Sequence, residues 1–144
     1  MIGFFIAILS GACMSVQGVF NSQLTKTTGM WVSNGWVQFT AFVVCITAWI
    51  ITGRDSISTI FKASPKYILL GGAIGAVITW TVIKSINQLG PAKATLFIII
   101  AQITVSYLIE LFGMFGVDKQ PFELRKILGL AAAIIGVVIF QWEG

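Results

Sequence analysis

Five long apolar stretches determine what this chain can fold into. They lie at residues 2–20, 31–52, 67–87, 93–113 and 127–142. An α-helix rises about 1.5 Å per residue, so about 20 apolar residues are needed to cross about 30 Å of hydrocarbon. Each stretch is therefore predicted to cross a bilayer once as a helix. Because the number of crossings is odd, the two termini are predicted to lie on opposite sides of the membrane.

The composition and the placement of charge indicate the same class. Hydrophobic residues make up 57% of the chain and charged residues 10%, which lies outside the range of soluble domains. Charged side chains are absent from residues 1–25, 27–53, 67–83, 94–109 and 127–142. Long continuous apolar runs favour helices over the alternating pattern of a membrane barrel. We predict an all-α integral membrane protein with a single transmembrane domain over residues 1–144.

The basic residues predict an orientation. One side of the membrane would hold Lys26, Lys84 and Lys93, and the side of the N-terminus would hold Arg54, Lys62, Lys66, Lys119, Arg125 and Lys126. Basic residues near span ends resist translocation, so this bias favours a cytoplasmic N-terminus, with dual topology left open. The net charge of +4 follows from this loop bias and gives no indication of a nucleic-acid partner.

Small residues recur at every fourth position in three of the spans. The first span has Gly3, Ala7, Gly11 and Ser15, the third has Gly71 and Gly75, and the fifth has Gly129 followed by Ala133, and Ala132 followed by Gly136. Such stripes allow helix backbones to approach closely in lipid. They predict either helix packing within the chain or a dimer interface, for which the fifth span is favoured.

Polar residues inside the spans carry the functional signal, because they must face protein or water. They are Gln17 and Asn21 in the first span, Asn34 and Gln38 in the second, and Gln102 and Ser106 in the fourth. Trp36 and Trp80 lie deep enough to stack on a substrate. We predict that these groups, with Trp80 as a wall, bind a small-molecule substrate. The alternative is that the amides only bridge helices, at about 1 kcal/mol each.

Glu110 is the only acid within any predicted span. It lies about one helical turn from the end of the fourth span, where a charge costs less than at the midplane. We interpret it as a coupling or gating carboxylate, which includes a proton-coupling group, a cation ligand or half of a gate. The alternative is an interfacial carboxylate paired with Arg125 or Lys126.

Chemistry beyond these groups is not indicated. The chain has no histidine, no phosphate-binding glycine loop and no nucleophile with a nearby base. Its two cysteines, Cys13 and Cys45, fall inside predicted spans and form no metal motif. We therefore predict that the protein is not an enzyme and holds neither a cofactor nor a metal ion.

Several short motifs together resemble those of one family. Gln17 to Leu24 (QGVFNSQL) resembles its Q-x-x-x-N-x-x-L signature, and Gly71 to Ala76 (GGAIGA) its third-helix opening. Ile109 to Gly116 (IELFGMFG) resembles its fourth-helix run, and Arg125-Lys126 with Gly129 and Gly136 its closing helix. In order and spacing, the whole chain resembles the YdcZ-type family of the drug/metabolite transporter superfamily. The family's fourth helix often ends in Asp-His-Phe-Gly, where this chain has Glu110-Leu111-Phe112-Gly113, so a proton relay by that pair does not carry over.

The resemblance implies a five-helix half-transporter of the bacterial inner membrane. Such a chain would pair antiparallel with itself or with an oppositely oriented paralogue, giving a ten-helix bundle. The superfamily moves drugs or metabolites by alternating access. Its small multidrug resistance proteins exchange protons for cations through a glutamate in the first helix. Here that helix has the neutral Gln17 and Asn21, which favours a neutral or zwitterionic substrate.

Two other functions are compatible with the residues. A non-transporting subunit could scaffold a larger complex, but it would not need polar residues aligned across several spans. A passive channel would need a continuous polar file rather than a site that closes at both ends. For the transporter and for both alternatives, membrane lipid is an expected partner.

Overall fold

The computed structural model describes residues 2–53 and 55–142, and Arg54, counted in the charge distribution, lies outside them. Its helices are α1 (Ile2–Thr28), α2 (Met30–Thr52), α3 (Thr59–Lys62), α4 (Gly71–Leu89), α5 (Pro91–Phe112) and α6 (Leu124–Gln141). Two short 3₁₀ segments, Lys66–Leu70 and Met114–Gly116, precede α4 and follow α5. The described residues contain no β-strand, so the predicted all-α fold is confirmed.

Five helical segments are long and apolar enough to cross a membrane. They are Ile2–Thr28, Met30–Thr52, Lys66–Leu89, Pro91–Phe112 and Leu124–Gln141. At most 6% of the most apolar window of any of them is buried inside the protein. Side chains such as Phe4 and Phe42 are exposed by 68% and 62%. Lipid must cover surfaces of this kind, which confirms the predicted integral membrane protein with five spans.

The first helix is longer than the apolar stretch that predicted it. It ends at Thr28 rather than near residue 20, because the polar residues after the stretch remain helical. The Thr25 hydroxyl donates to Asn21 O at 2.8 Å, and the Thr28 hydroxyl donates to Leu24 O at 2.9 Å. Threonines that bond back to the preceding turn are compatible with a helix. Gly29, with φ of 83°, then reverses the chain into α2.

The chain divides into two compact units, Met1–Gln88 and Leu89–Gly144. In the first unit α1 packs against α4 at Gly18. A Cβ on Gly18 would lie 2.8 Å from Ile86 Cδ1 and 3.5 Å from Val82 Cγ1. Ile83 and Ile86 of α4 are buried in this unit, at 0% and 8% exposure. Gly18 therefore leaves room on α1 for the side chains of Ile86 and Val82.

The second unit contains α5 and α6. Gly113 ends α5 in the left-handed conformation, with φ of 64°, and its N–H donates to Glu110 O at 3.4 Å. A Cβ on Gly113 would lie 3.1 Å from Lys119 Cβ, so the following loop returns close to the end of α5. Gln120 N–H then donates to the same Glu110 O at 2.9 Å. The predicted grouping of all residues into one transmembrane domain stays a prediction.

The contact at Gly18 generates a stability prediction. Replacing Gly18 with Leu crowds Ile86 and Val82 of α4, and overpacking of this kind typically costs about 1–3 kcal/mol. Gly11→Leu is the matched control, since a Cβ there would meet no atom within 4 Å. Unfolding by SDS in mixed micelles, followed by tryptophan fluorescence, should show a lower free energy of unfolding for Gly18→Leu only. Equal stability of the two variants would contradict the assigned packing.

Candidate functional site

The residues predicted for the site occupy three places in the structure. Gln17 and Asn21 line a cleft between α1 and α2, and Gln102, Ser106 and Glu110 line a cavity between α5 and α6. Asn34, Gln38 and Trp80 take part in contacts among the helices of the first unit. The cleft and these contacts belong to the first unit, and the cavity belongs to the second unit.

The α1–α2 cleft has a volume of about 610 Å³. Its polar lining comes from Gln17, Asn21 and Thr40, and Trp36 forms part of its wall. The Thr40 hydroxyl is already bonded, because it donates to Trp36 O and Val37 O at 3.0 Å. The side-chain amides of Gln17 and Asn21 have no hydrogen-bond partner among the described residues. The cleft therefore offers two amides that can bond to another molecule.

Asn34 and Gln38 are used differently, although they are also amides one turn apart. Asn34 is 3% exposed, and its Nδ2 donates to Ala76 O of α4 at 2.9 Å. Gln38 Nε2 donates to Thr79 Oγ1 at 3.3 Å and lies 3.5 Å from Asn34 Oδ1. These bonds join α2 to α4, which is the helix-bridging role that the sequence left as an alternative.

Two buried serines, which were not among the predicted site residues, also join helices. Ser22 Oγ donates to Asn87 Oδ1 at 2.6 Å, and Ser33 Oγ donates to Asn21 O at 3.3 Å. Both serines are buried, at 4% and 0% exposure. The signal available in the sequence was that small polar residues in spans commonly lie at helix crossings.

The Trp80 ring already contacts an aromatic ring and an ammonium group, the two kinds of group that it could bind in a substrate. Its ring stacks on that of Trp31, with centroids 6.4 Å apart and planes at 10°. The Lys84 ammonium lies 4.9 Å from the Trp80 ring centroid, within cation–π distance. The aromatic wall predicted at Trp80 is thus a pair of tryptophans with an ammonium beside it.

The α5–α6 cavity has a volume of about 500 Å³. Gln102, Ser106 and Glu110 lie at four-residue steps on α5, so they follow one another along the same wall. The opposite wall contains Gly129 and Ala133 of α6. Gln102 and Ser106 are exposed, and their side chains have no hydrogen-bond partner among the described residues. One wall of the cavity therefore carries two polar groups that are available to a ligand.

An ion cluster lies at one end of this cavity. Lys126 Nζ is 3.5 Å from Glu110 Oε2 and 3.6 Å from Glu123 Oε1. The same ammonium lies 5.7 Å from the centroid of the Tyr107 ring, and Glu123 N–H donates to the Tyr107 hydroxyl oxygen at 3.4 Å. Glu110 therefore pairs with Lys126, one of the two partners that the sequence suggested. Arg125 forms no ion pair with any described residue.

Among the described residues, the glycines of the third and fifth spans do not pack against another helix. A Cβ added to Gly71, Gly75, Gly129 or Gly136 would meet nothing within 4 Å. In α6, Gly129 and Ala133 instead leave room for the cavity. The described residues contain no cluster of His, Cys, Asp or Glu that could hold a metal ion.

Five helices that are long and apolar enough to cross a membrane define a multi-pass membrane protein. Residues 2–139 match the model of the family described as "Putative inner membrane exporter, YdcZ". The chain belongs to this family, which confirms the resemblance and the inner-membrane location and supports its assignment to membrane transporters. Comparison with curated proteins and with solved structures gives no match.

The contrast between bonded and unbonded amides generates a second prediction. Asn34→Leu removes the bond to Ala76 O and should lower the free energy of unfolding by about 1 kcal/mol. Gln17→Leu removes no bond within the described residues and should leave stability unchanged or raise it. The measurement is SDS unfolding in mixed micelles for both variants. The distinction would be wrong if Gln17→Leu destabilised the protein as much as Asn34→Leu does.

Proposed function

We propose that the chain is a secondary transporter of small organic molecules that works by alternating access as a pair of oppositely oriented copies. The observation that carries the proposal is the set of polar side chains within the spans that lack a hydrogen-bond partner in the described residues. These side chains are Gln17, Asn21, Gln102 and Ser106.

Unpaired amides are expensive in a bilayer. Transfer of an amide from water to a medium that cannot form hydrogen bonds costs roughly 4–8 kcal/mol. Gln17 and Gln102 belong to α1 and α5, and both are exposed rather than buried against another helix. Their polar groups therefore need water, a substrate or a second chain. A water-filled pathway with a substrate site provides the first two.

A second copy provides the remaining partner. The spans bury very little of their surface within one chain, and Gly71, Gly75 and Gly136 face open space on their helices. Small residues of this kind suit close contact with another helix in lipid. Many transporters consist of two repeats of inverted topology with the substrate site between them, and an odd number of spans allows two copies to form that arrangement.

The roles follow from the placement of each group. Gln17, Asn21, Gln102 and Ser106 would bond to the substrate, and Trp80 with Trp31 would form an aromatic wall. Asn34 and Gln38 would fix α2 on α4 and so hold the wall in place. Glu110, paired with Lys126 at the end of the α5–α6 cavity, would open and close that end. The partners are membrane lipid, a second copy or an oppositely oriented paralogue, and a small-molecule substrate.

The transport experiment starts from a thermal-shift panel of metabolites and drugs on the purified protein. A compound that stabilises the protein is then followed into proteoliposomes. Gln102→Leu should lower its transport by about two- to tenfold, because one hydrogen bond contributes a net of about 0.5–1.5 kcal/mol. Gln88→Leu is the matched control, since Gln88 lies at the exposed end of α4 and lines neither hollow.

Other outcomes of this experiment discriminate among the functions. Unchanged transport by a correctly folded Gln102→Leu variant would remove Gln102 from the site. Flux that increases linearly with concentration and shows no exchange between substrates would indicate a channel. Co-purification of another protein in fixed stoichiometry, without transport of any panel compound, would indicate a scaffold.

Pairing of opposite copies makes a prediction about orientation. With Cys13 and Cys45 replaced by Ala, a single cysteine at Ser58 marks the segment between α2 and α3. A membrane-impermeant maleimide should then label this cysteine both in spheroplasts and in inverted vesicles. A cysteine in a protein of known single orientation serves as the control in each preparation. Labelling from one side only would exclude a homodimer of this kind and would require an oppositely oriented paralogue.

A further inference from the structure

We propose that the α5–α6 cavity binds an amphipathic organic cation, whose ammonium group takes the place of Lys126 on Glu110. This inference rests on the proposed transport function and names the class of substrate. It differs from the neutral or zwitterionic class that the first helix favoured, because it concerns a different group of residues. In α1 the polar groups are neutral, whereas the α5–α6 cavity contains a carboxylate.

The charges in contact favour a cation. Lys126 Nζ is shared by two carboxylates at nearly equal distances, 3.5 Å to Glu110 and 3.6 Å to Glu123. One ammonium therefore faces two carboxylates, and the three groups together carry an excess of negative charge. An arriving cation can pair with a carboxylate that shares its ammonium with a second carboxylate, whereas an anion would meet both carboxylates.

Replacing Lys126 on Glu110 with a ligand cation should cost little free energy, because Lys126 is shared between two carboxylates. When a ligand occupies Glu110, Lys126 keeps its partner Glu123, one helical turn away on its own side of the cavity. The side chains of Glu110 and Lys126 are 45% and 37% exposed, so both can rearrange without unpacking a core. No charge is left buried and unpaired by the exchange, which is the outcome that would have been costly.

The remaining walls fit an amphipathic body. A volume of about 500 Å³ lies within the range of about 300–1,000 Å³ that is usual for small-molecule sites. Ile103, Leu130 and Ala133 provide apolar surface, and Gln102 and Ser106 provide hydrogen-bonding groups along α5. The Tyr107 ring, which already lies beside the Lys126 ammonium, can face a ligand cation in the same way.

The experiment measures binding of benzyltrimethylammonium to the protein in nanodiscs by equilibrium dialysis, with empty nanodiscs subtracted. Glu110→Gln should weaken binding by at least about tenfold, because it removes the charge that pairs with the ligand. Glu123→Gln should weaken it severalfold, since Lys126 then depends on Glu110 alone. Lys126→Met should strengthen binding, because it removes the competing ammonium. Lys119→Met is the matched control: it has the same change of charge but no ion pair with Glu110.

Opposite effects of the two partners of one ion pair are the signature of competition. If Glu110→Gln and Lys126→Met both weakened binding, the pair would be a structural link and the proposal would be wrong. Equal binding of neopentylbenzene, the neutral isostere of the probe, would show that the cavity recognises only an apolar shape. Tighter binding of phenylalanine than of the probe would assign a zwitterion instead.

The experiments distinguish failure of the proposed cation site from failure of the proposed transport function. Transport of a panel compound that depends on Gln102, together with cation binding that Glu110→Gln leaves unchanged, would overturn the cation site alone. Cation binding with the expected response of each variant, but no transport of any compound, would support the cavity and overturn the transport function. Size-exclusion profiles and circular dichroism of each variant confirm that the fold is retained.

Discussion

The constraint on which this structure depends is that polar groups in a bilayer have no water to bond with. The backbone polar groups satisfy one another by forming helices, whereas only some of the polar side chains find a hydrogen-bond partner. Asn34, Ser22 and Ser33 bond across helix contacts in the first unit. Gln17 and Gln102 do not bond within the described residues. The first group therefore holds the helices together, and the second is available to a substrate or to a second chain.

The spans and the class of protein could be predicted from the sequence, because continuous apolar runs leave few alternatives. Their ends could not be placed as well: α1 continues to Thr28 because threonine hydroxyls bond back to the preceding turn. The candidate site was predictable only as a set of polar residues. Gln17 and Asn34 have the same type of side chain, and only packing decides which one is buried. The Glu110–Lys126 pair was one of two pairings suggested, and the geometry of α6 selects it over Arg125.

The small residues show how one pattern can serve two purposes. Gly18 leaves room for side chains of α4, whereas Gly129 and Ala133 leave space that becomes the α5–α6 cavity. At Gly18 the space left by a small residue is occupied by side chains of a neighbouring helix. At Gly129 and Ala133 the space stays open. A four-residue repeat of small residues therefore indicates close contact or a cavity, and the neighbouring helix determines which of them forms.

The most direct test of the proposed function is the relative orientation of two copies, because the proposal pairs each chain with an inverted second copy. Spin labels are introduced singly into the variant without cysteines, at Ser58 after the end of α2 or at Thr27 in the last turn of α1. These two positions are predicted to lie on opposite sides of the membrane. Pulsed electron paramagnetic resonance then gives the distances between the labels of two copies. For inverted copies, two labels at Ser58, or two labels at Thr27, should be more than about 30 Å apart, the thickness of the hydrocarbon. In a mixture of the two labelled variants, the distance from a label at Ser58 to a label at Thr27 should be shorter. If the distance between a label at Ser58 and a label at Thr27 were longer than both of the others, the copies would be parallel and the proposed inverted pair would be wrong.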